Sequence, residues 1–226
     1  MRINKYLALA TGMSRRSADQ AVEQGRVTIS GATARAGDQV SANDRITLDS
    51  RPVAAAERQT LLFNKPVGVV VSRNGQGAPT VYDHLPAAAA SLKPIGRLDK
   101  DSSGLLLLTN DGQLAERLSH PRHLKTKIYR IQLDRPLAAV DATRIQQGIS
   151  VTTRPQHGPI DRYVSQLELS QPSDDRQAWT VTMSEGRNRQ IRRTFAAAGY
   201  RVTKLHRTHF GSYRLDDLKI GEYRQA

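Results

Sequence analysis

Asp99 and Asp101 stand two residues apart in the run Gly96-Arg97-Leu98-Asp99-Lys100-Asp101-Ser102-Ser103-Gly104. The residues that follow, Leu105-Leu106-Leu107-Leu108-Thr109, are a short apolar run that reads as a buried strand. A carboxylate at the mouth of such a strand is costly unless something pairs it. Paired, it is an ionised nucleophile or proton acceptor held in a dry place. Two carboxylates could instead form a glycosidase pair or a metal site. A glycosidase needs its acids held apart across a sugar, and residues i and i+2 of one turn seldom supply that separation. Asp99 is a candidate acid, and Asp101 is the competing one. From Arg187 to Arg207 the chain carries seven Lys or Arg and no acid, a density suited to a nucleic-acid backbone. Ile191, Phe195 and Ala198 share a face at helical spacing, so that side packs inward and the arginines cannot all be buried.

The elements that must position these groups are spread over 226 residues, enough for one medium domain and one small one. Residues 1–48 read as a compact unit. Ile3, Leu7 and Ala10 are spaced for a short helix ending near Gly12, and Ser14 is a fitting N-cap for a second helix over Arg15–Gln24 with Gly25 at C′. Val27-Thr28-Ile29 alternates as a strand into a Ser30-Gly31 turn, and Val40–Leu48 supplies further strand material. Residues 49–59 read as a linker and 60–226 as the second domain. There, Leu61–Pro66 and Gly68–Ser72 read as two strands around a turn. Lys127–Leu133, Trp179–Met183 and Val202–Phe210 are further strands, and Asp111–Ser119, Ala139–Gln147 and Asn188–Ala198 are helices. Strands and helices interleave without a regular βαβ rhythm, so the expected class is α+β.

Composition narrows the partners. Lys plus Arg of 34 against Asp plus Glu of 21 leaves a formal charge of +13, which favours a polyanion, nucleic acid ahead of an anionic membrane surface. Cysteine is absent, removing disulfides, thiolate metal sites and a Cys nucleophile. There is no apolar run of about 18 residues to span a membrane. The start, Met1-Arg2-Ile3-Asn4-Lys5-Tyr6, lacks a signal-peptide core. A cytoplasmic protein, monomeric and not bound to a membrane, is expected. No Walker A sequence, no GxGxxG opening a helix and no His pair at the i, i+4 spacing of an H-E-x-x-H motif is present, so neither a cofactor nor a metal is expected.

The run from Gly96 to Gly104, continuing through Leu105–Gly112 (Leu-Leu-Leu-Leu-Thr-Asn-Asp-Gly), resembles the RsuA/RluB/RluF-type pseudouridine synthases, whose motif is GRLD followed by GLLLLTNDG. Asn64-Lys65-Pro66, Lys127-Ile128-Tyr129 and Gly186–Arg193 match further landmarks of that family in order. The first unit, through Arg2–Leu7, Gly12–Ala18 and Gly25–Gly31, resembles an S4 RNA-binding domain, with Ser30-Gly31 departing from a common Asn-Gly turn. The resemblance implies an S4 (α-L) domain joined to a catalytic domain built on a mixed, largely antiparallel sheet flanked by helices. It implies that a uridine in ribosomal RNA or a pre-ribosomal particle is flipped out and isomerised, without cofactor or metal. Asp99 would then be the nucleophile, Arg192 its counter-ion, and Asp101 a solvated loop or cap residue. Tyr129 would stack on the base and take its C5 proton, and Leu205 would pack on the opposite side. Arg97 would support the flipped-out state. Lys5, Arg15, Arg16, Lys65, Arg73, Arg187, Asn188, Arg189 and Arg193 would contact RNA or brace the site. Asp-Lys-Asp-Ser and Gly-Tyr-Arg-Val-Thr-Lys-Leu resemble the RluF-like members, which implies a large-subunit target; a tRNA target is the near alternative. Two rivals come from other classes. One is a non-catalytic S4-type RNA-binding factor, and the other is a metal-dependent nuclease using Asp99 and Asp101.

Overall fold

The protein is described from a computed structural model over residues 1–54, 56–120, 124–153, 160–171 and 174–226; Ala55 of the expected linker lies outside the described residues. The chain opens with α1 (Ile3–Thr11), ended by Gly12 at φ 75, and α2 (Arg15–Glu23). The Ser14 hydroxyl accepts the Ser17 amide at 3.0 Å, the N-cap expected from its type. β1 (Val27–Ile29) and β2 (Ala32–Thr33) form a hairpin through Ser30 and Gly31, both at positive φ, as a tight turn of this hand requires. Of Val40–Leu48 only β3 (Ile46–Leu48) is strand, and the first linker residues add β4 (Arg51–Pro52) to the sheet, in the order β2-β1-β3-β4. Ile3, Leu7, Ala18, Val22, Val27 and Ile46 bury the apolar faces of helices and sheet together.

The second domain runs β5 (Thr60–Lys65), β6 (Lys93–Ile95), β7 (Ser103–Thr109), α3 (Gly112–Ser119), β8 (Lys127–Leu133), α4 (Ala139–Gln147), β9 (Ile149–Thr153), β10 (Asp161–Ser165), β11 (Glu168–Ser170), β12 (Ala178–Met183), α5 (Gln190–Ala197), β13 (Val202–Phe210), β14 (Tyr213–Arg214) and β15 (Tyr223–Gln225). Among the described residues its large sheet follows the order β11-β12-β8-β13-β7-β5-β15, with β6 beside β7 and β14 beside β13. Only the β13–β7 pair is parallel, so the sheet is mixed and largely antiparallel and the class is α+β. β9 and β10 pair apart from it. The expected strand over Gly68–Ser72 is absent. Val70 makes only an isolated bridge to Thr80, because Pro66 and Gly68 (φ 90) turn the chain out of β5.

The leucine run is explained by β7 lying centrally and buried along its whole length. Leu106 and Leu108 join Leu61, Phe63, Tyr129, Ile131, Val181, Ile191, Phe195 and Leu205 on one face. Leu105 and Leu107 join Leu62, Ile95, Leu118 and Phe210 on the other. Gly104 is required where β7 meets β13. At φ +106, a Cβ there would lie 2.2 Å from the Arg207 carbonyl oxygen. That close approach sets the Asp99 loop against the middle of β13.

Candidate active site

The loop before β7 is pinned on three sides. The Ser102 amide donates to the Asp99 carbonyl at 3.0 Å, closing a turn, and the Gly68 amide donates to the Lys100 carbonyl at 2.8 Å. An Arg192 Nη2 donates to the Asp101 carbonyl at 2.7 Å. Asp99 so held is half-buried, its side chain 26% exposed, with Oδ2 3.5 Å from Arg189 Nη1. The charge at the mouth of the buried strand is therefore partnered, as the cost of burying it demands.

The partner differs from the expected one. Arg192, expected on Asp99, instead places Nε 3.2 Å from the Asp101 carboxylate and donates through Nη1 to the Val202 carbonyl at 2.6 Å. Arg189 grips Asp101 with both terminal nitrogens, at 2.9 and 2.7 Å. Asp101 is thus a two-arginine ion-pair centre rather than a solvated cap. The Arg189 guanidinium, above all, holds its carboxyl below the usual range, while Arg192 adds to the effect. Arg192 anchors the loop to β13 because its stem rises from α5, whose apolar face packs into the core below. Arg189 stands before that helix at φ 52, a left-handed conformation rarely taken by a residue with a side chain. Nothing in the residue pattern signals this geometry, which is why Arg189 reads from sequence as an RNA or structural contact without a named partner.

Leu98, Tyr129 and Leu205 belong to one apolar cluster on the sheet face that also carries Leu106 and Leu108. Tyr129 and Leu205 are each 8% exposed. Tyr129 on β8 pairs with Arg207 on β13, and Leu205 pairs with the next inward residue of β8, Ile131. Beside the loop lies an open hollow of about 600 Å³ walled by Asp101, Arg189, Arg192, Ala196, Tyr200, Arg201, Val202 and Thr203. Asp99, Tyr129 and Leu205 are not among those walls, so this hollow belongs to the Asp101 side.

Other expected contacts sort by exposure. Lys65 is fully buried and donates to the Pro66 and Val69 carbonyls at 2.8 and 2.7 Å, so it braces the turn after β5 and cannot meet a phosphate. Burial pushes its ammonium down to about 8, with the charges of Asp101 and Asp99 opposing the shift. Arg207 is also buried, 2% exposed, and donates to the Leu105 carbonyl at 2.8 Å. It therefore drops out of the basic surface counted from sequence. Arg73 is tied to the Ala90 carbonyl and the Tyr82 ring. Arg187 lies over the Tyr163 ring and pairs with Asp161 at 3.6 Å. Gln190 is buried and bonded to Ser165 and Glu185, a brace for the start of α5. Arg97, Asn188, Arg15 and Arg16 are exposed, whereas Lys5 and Arg193 are half-buried.

Residues 59–197 match the family model described as RNA pseudouridylate synthase, and residues 1–46 match the S4 domain. The chain belongs to the RNA pseudouridylate synthase family. It is an RNA pseudouridine synthase, an isomerase, carrying an S4 domain at its start. It is 36% identical over 229 residues to the ribosomal small subunit pseudouridine synthase A of Escherichia coli, covering 99% of this chain and 95% of that one. An RNA pseudouridine synthase of Aquifex aeolicus, named as uncharacterized, is 31% identical across 100% of this chain and 90% of its own. A crystal structure of a pseudouridylate synthase superposes with a TM-score of 0.67 at 33% identity, over 100% of this chain and 96% of that one. The Escherichia coli relative carries a small-subunit name, whereas the Asp-Lys-Asp-Ser and Gly-Tyr-Arg-Val-Thr-Lys-Leu stretches led to a large-subunit expectation. In the pseudouridine synthase domain, the residue at the Arg192 position serves Asp101 in this chain, and Arg189 is the guanidinium beside Asp99.

Proposed function

We propose that this pseudouridine synthase isomerises a uridine in ribosomal RNA by base flipping, with Asp99 as nucleophile. A half-buried carboxylate fixed in a pinned loop, charge-paired and following the buried Leu98, is the observation that carries the reading. The reaction breaks the C1′–N1 bond, turns the uracil, joins C5 to C1′ and moves the C5 proton away while N1 gains one, so no electron or atom is exchanged with a cofactor. Asp99 attacks at C1′ or at C6; either path needs one ionised carboxylate. Arg189, 3.5 Å away, stabilises that charge without enclosing it. Tyr129 and Leu205 form the apolar side against which the extruded base rests, and the Tyr129 hydroxyl takes the C5 proton. Arg97, exposed beside the loop, supports the opened strand.

The small-subunit name of the Escherichia coli relative, which covers 99% of this chain, favours small-subunit RNA over a large-subunit or tRNA target. The S4 unit docks the substrate in the cytoplasm through Lys5, Arg15 and Arg16, with Arg187, Asn188 and Arg193 contacting the backbone near the site and the chain acting as a monomer. Against a nuclease, both Asp101 oxygens are engaged by guanidiniums, which leaves no vacant carboxylate pair. The test maps pseudouridines across both rRNAs by carbodiimide primer extension in cells with and without the protein. A small-subunit site lost on deletion, restored by wild type and not by Asp99→Ala, supports the reading. A site that Asp99→Ala restores overturns the assignment of the nucleophile, and a large-subunit or tRNA site overturns the target.

A further inference from the structure

The hollow beside Asp101 shares Arg189 with the proposed reaction, and its other walls are not used there. Arg189, Arg192 and Arg201 set three guanidiniums around it against one lining carboxylate, with Tyr200, Val202 and Thr203, whose hydroxyl donates to the Gln132 carbonyl at 3.0 Å, completing the wall. Arg189 holds Asp101 by a two-pronged contact, a geometry that a phosphate oxygen pair satisfies equally well. The Asp101 side chain remains 46% exposed and that of Arg189 39%, so an incoming anion can reach the guanidinium that grips Asp101. Arg201 is exposed just before β13. Its amide donates to Asp134 at 3.0 Å, and Asp134 is the second acid near it, but its guanidinium makes no hydrogen bond or ion pair among the described residues. A guanidinium with an acid nearby but no direct ion pair, at the rim of a basic hollow, is a ready phosphate contact.

We propose that this hollow seats a backbone phosphate of the substrate RNA on Arg201 and Arg189, and that Asp101 is an internal competitor occupying the anion position when RNA is absent. The proposal rests on RNA being the substrate. On binding, the phosphodiester takes over guanidinium N–H groups now given to Asp101, and the displaced carboxylate turns to water. Asp101 thereby lowers RNA affinity, while its backbone carbonyl keeps the loop tied to Arg192.

The test is the Kd of a small-subunit rRNA transcript for the full chain carrying Asp99→Asn. It is read by fluorescence anisotropy between about 50 and 200 mM salt. Adding Arg201→Gln weakens binding roughly threefold to tenfold and makes the log–log salt slope shallower by about 0.7–0.9, one phosphate contact. Arg214→Gln, exposed on β14 at the far end of β13, changes both less. Asp101→Asn tightens binding about threefold or more. Equal losses for Arg201→Gln and Arg214→Gln, or weaker or equal binding for Asp101→Asn, overturn the site. Arg201 is a surface residue, so its variant decides the matter if Asp101→Asn unfolds. The binding measurement does not depend on turnover, so it can fail while pseudouridine formation still depends on Asp99, and the reverse.

Discussion

Two regions near the Asp99 loop present opposite chemistry. Leu98, next to Asp99 in the chain, shares a buried apolar cluster with Tyr129 and Leu205. Beside Asp101, Arg189, Arg192 and Arg201 surround an open hollow. Breaking a glycosidic bond calls for a carboxylate whose charge is strengthened by poor solvation, while holding a polyanion calls for cations left accessible to it. In the proposed reading, two aspartates two residues apart are divided between these tasks. Asp99 touches one guanidinium at 3.5 Å, and Asp101 absorbs two at 2.7–3.2 Å. Asp101 can be read as what keeps the arginines from closing over the nucleophile.

The largest effect expected from breaking this contrast is at Asp99→Ala, where single-turnover isomerisation falls by more than about a thousandfold while RNA binding persists. Next is Gly104→Ala. Its side chain would enter the β13 backbone at a φ reserved for glycine, and urea denaturation should report a loss of at least about 3 kcal/mol. Should Gly104→Ala fold with wild-type stability, the close approach that sets the loop against β13 is not what holds it. Tyr129→Phe keeps the apolar wall and removes the hydroxyl, so kcat drops by about a hundredfold with little change in RNA affinity. Full activity in Tyr129→Phe assigns the proton to another group.

The smallest effect is a pH dependence. The folded-state value of Lys65 is near 8, below the ordinary 10.5 of an unfolded lysine. Between those values the unfolded chain binds the extra proton, so stability rises as pH rises from about 8 to 10.5 and is flat in this respect below. Lys65→Met removes that slope, by on the order of 1–3 kcal/mol across the window. A slope that survives in Lys65→Met, measured by denaturation at each pH, places the titration elsewhere.

The Ser14 cap, the turn at Ser30-Gly31 and the helix opened by Asp111 were legible because each depends on residues within a few positions. The apolar spacing of Ile191 and Phe195 likewise marks the inward face of α5. What escaped depends on distant partners. β15 at the end of the chain pairs with β5, and nothing local at Tyr223–Gln225 announces it. Lys65 carries a charge, yet its amine is consumed by carbonyls that only the turn after β5 brings together. The same limit explains the arginines. Resemblance singles out Arg192, but which carboxylate it meets depends on the left-handed backbone at Arg189 and the carbonyl of Val202. At the candidate site the sequence names the groups, and the three-dimensional arrangement divides the acids between them.

The most direct measurement sets Asp99→Asn and Asp101→Asn side by side on the same RNA, reading pseudouridine by carbodiimide primer extension in a single turnover. The division of labour predicts a pseudouridine stop with Asp101→Asn and none with Asp99→Asn. A stop with Asp99→Asn that disappears with Asp101→Asn would contradict it.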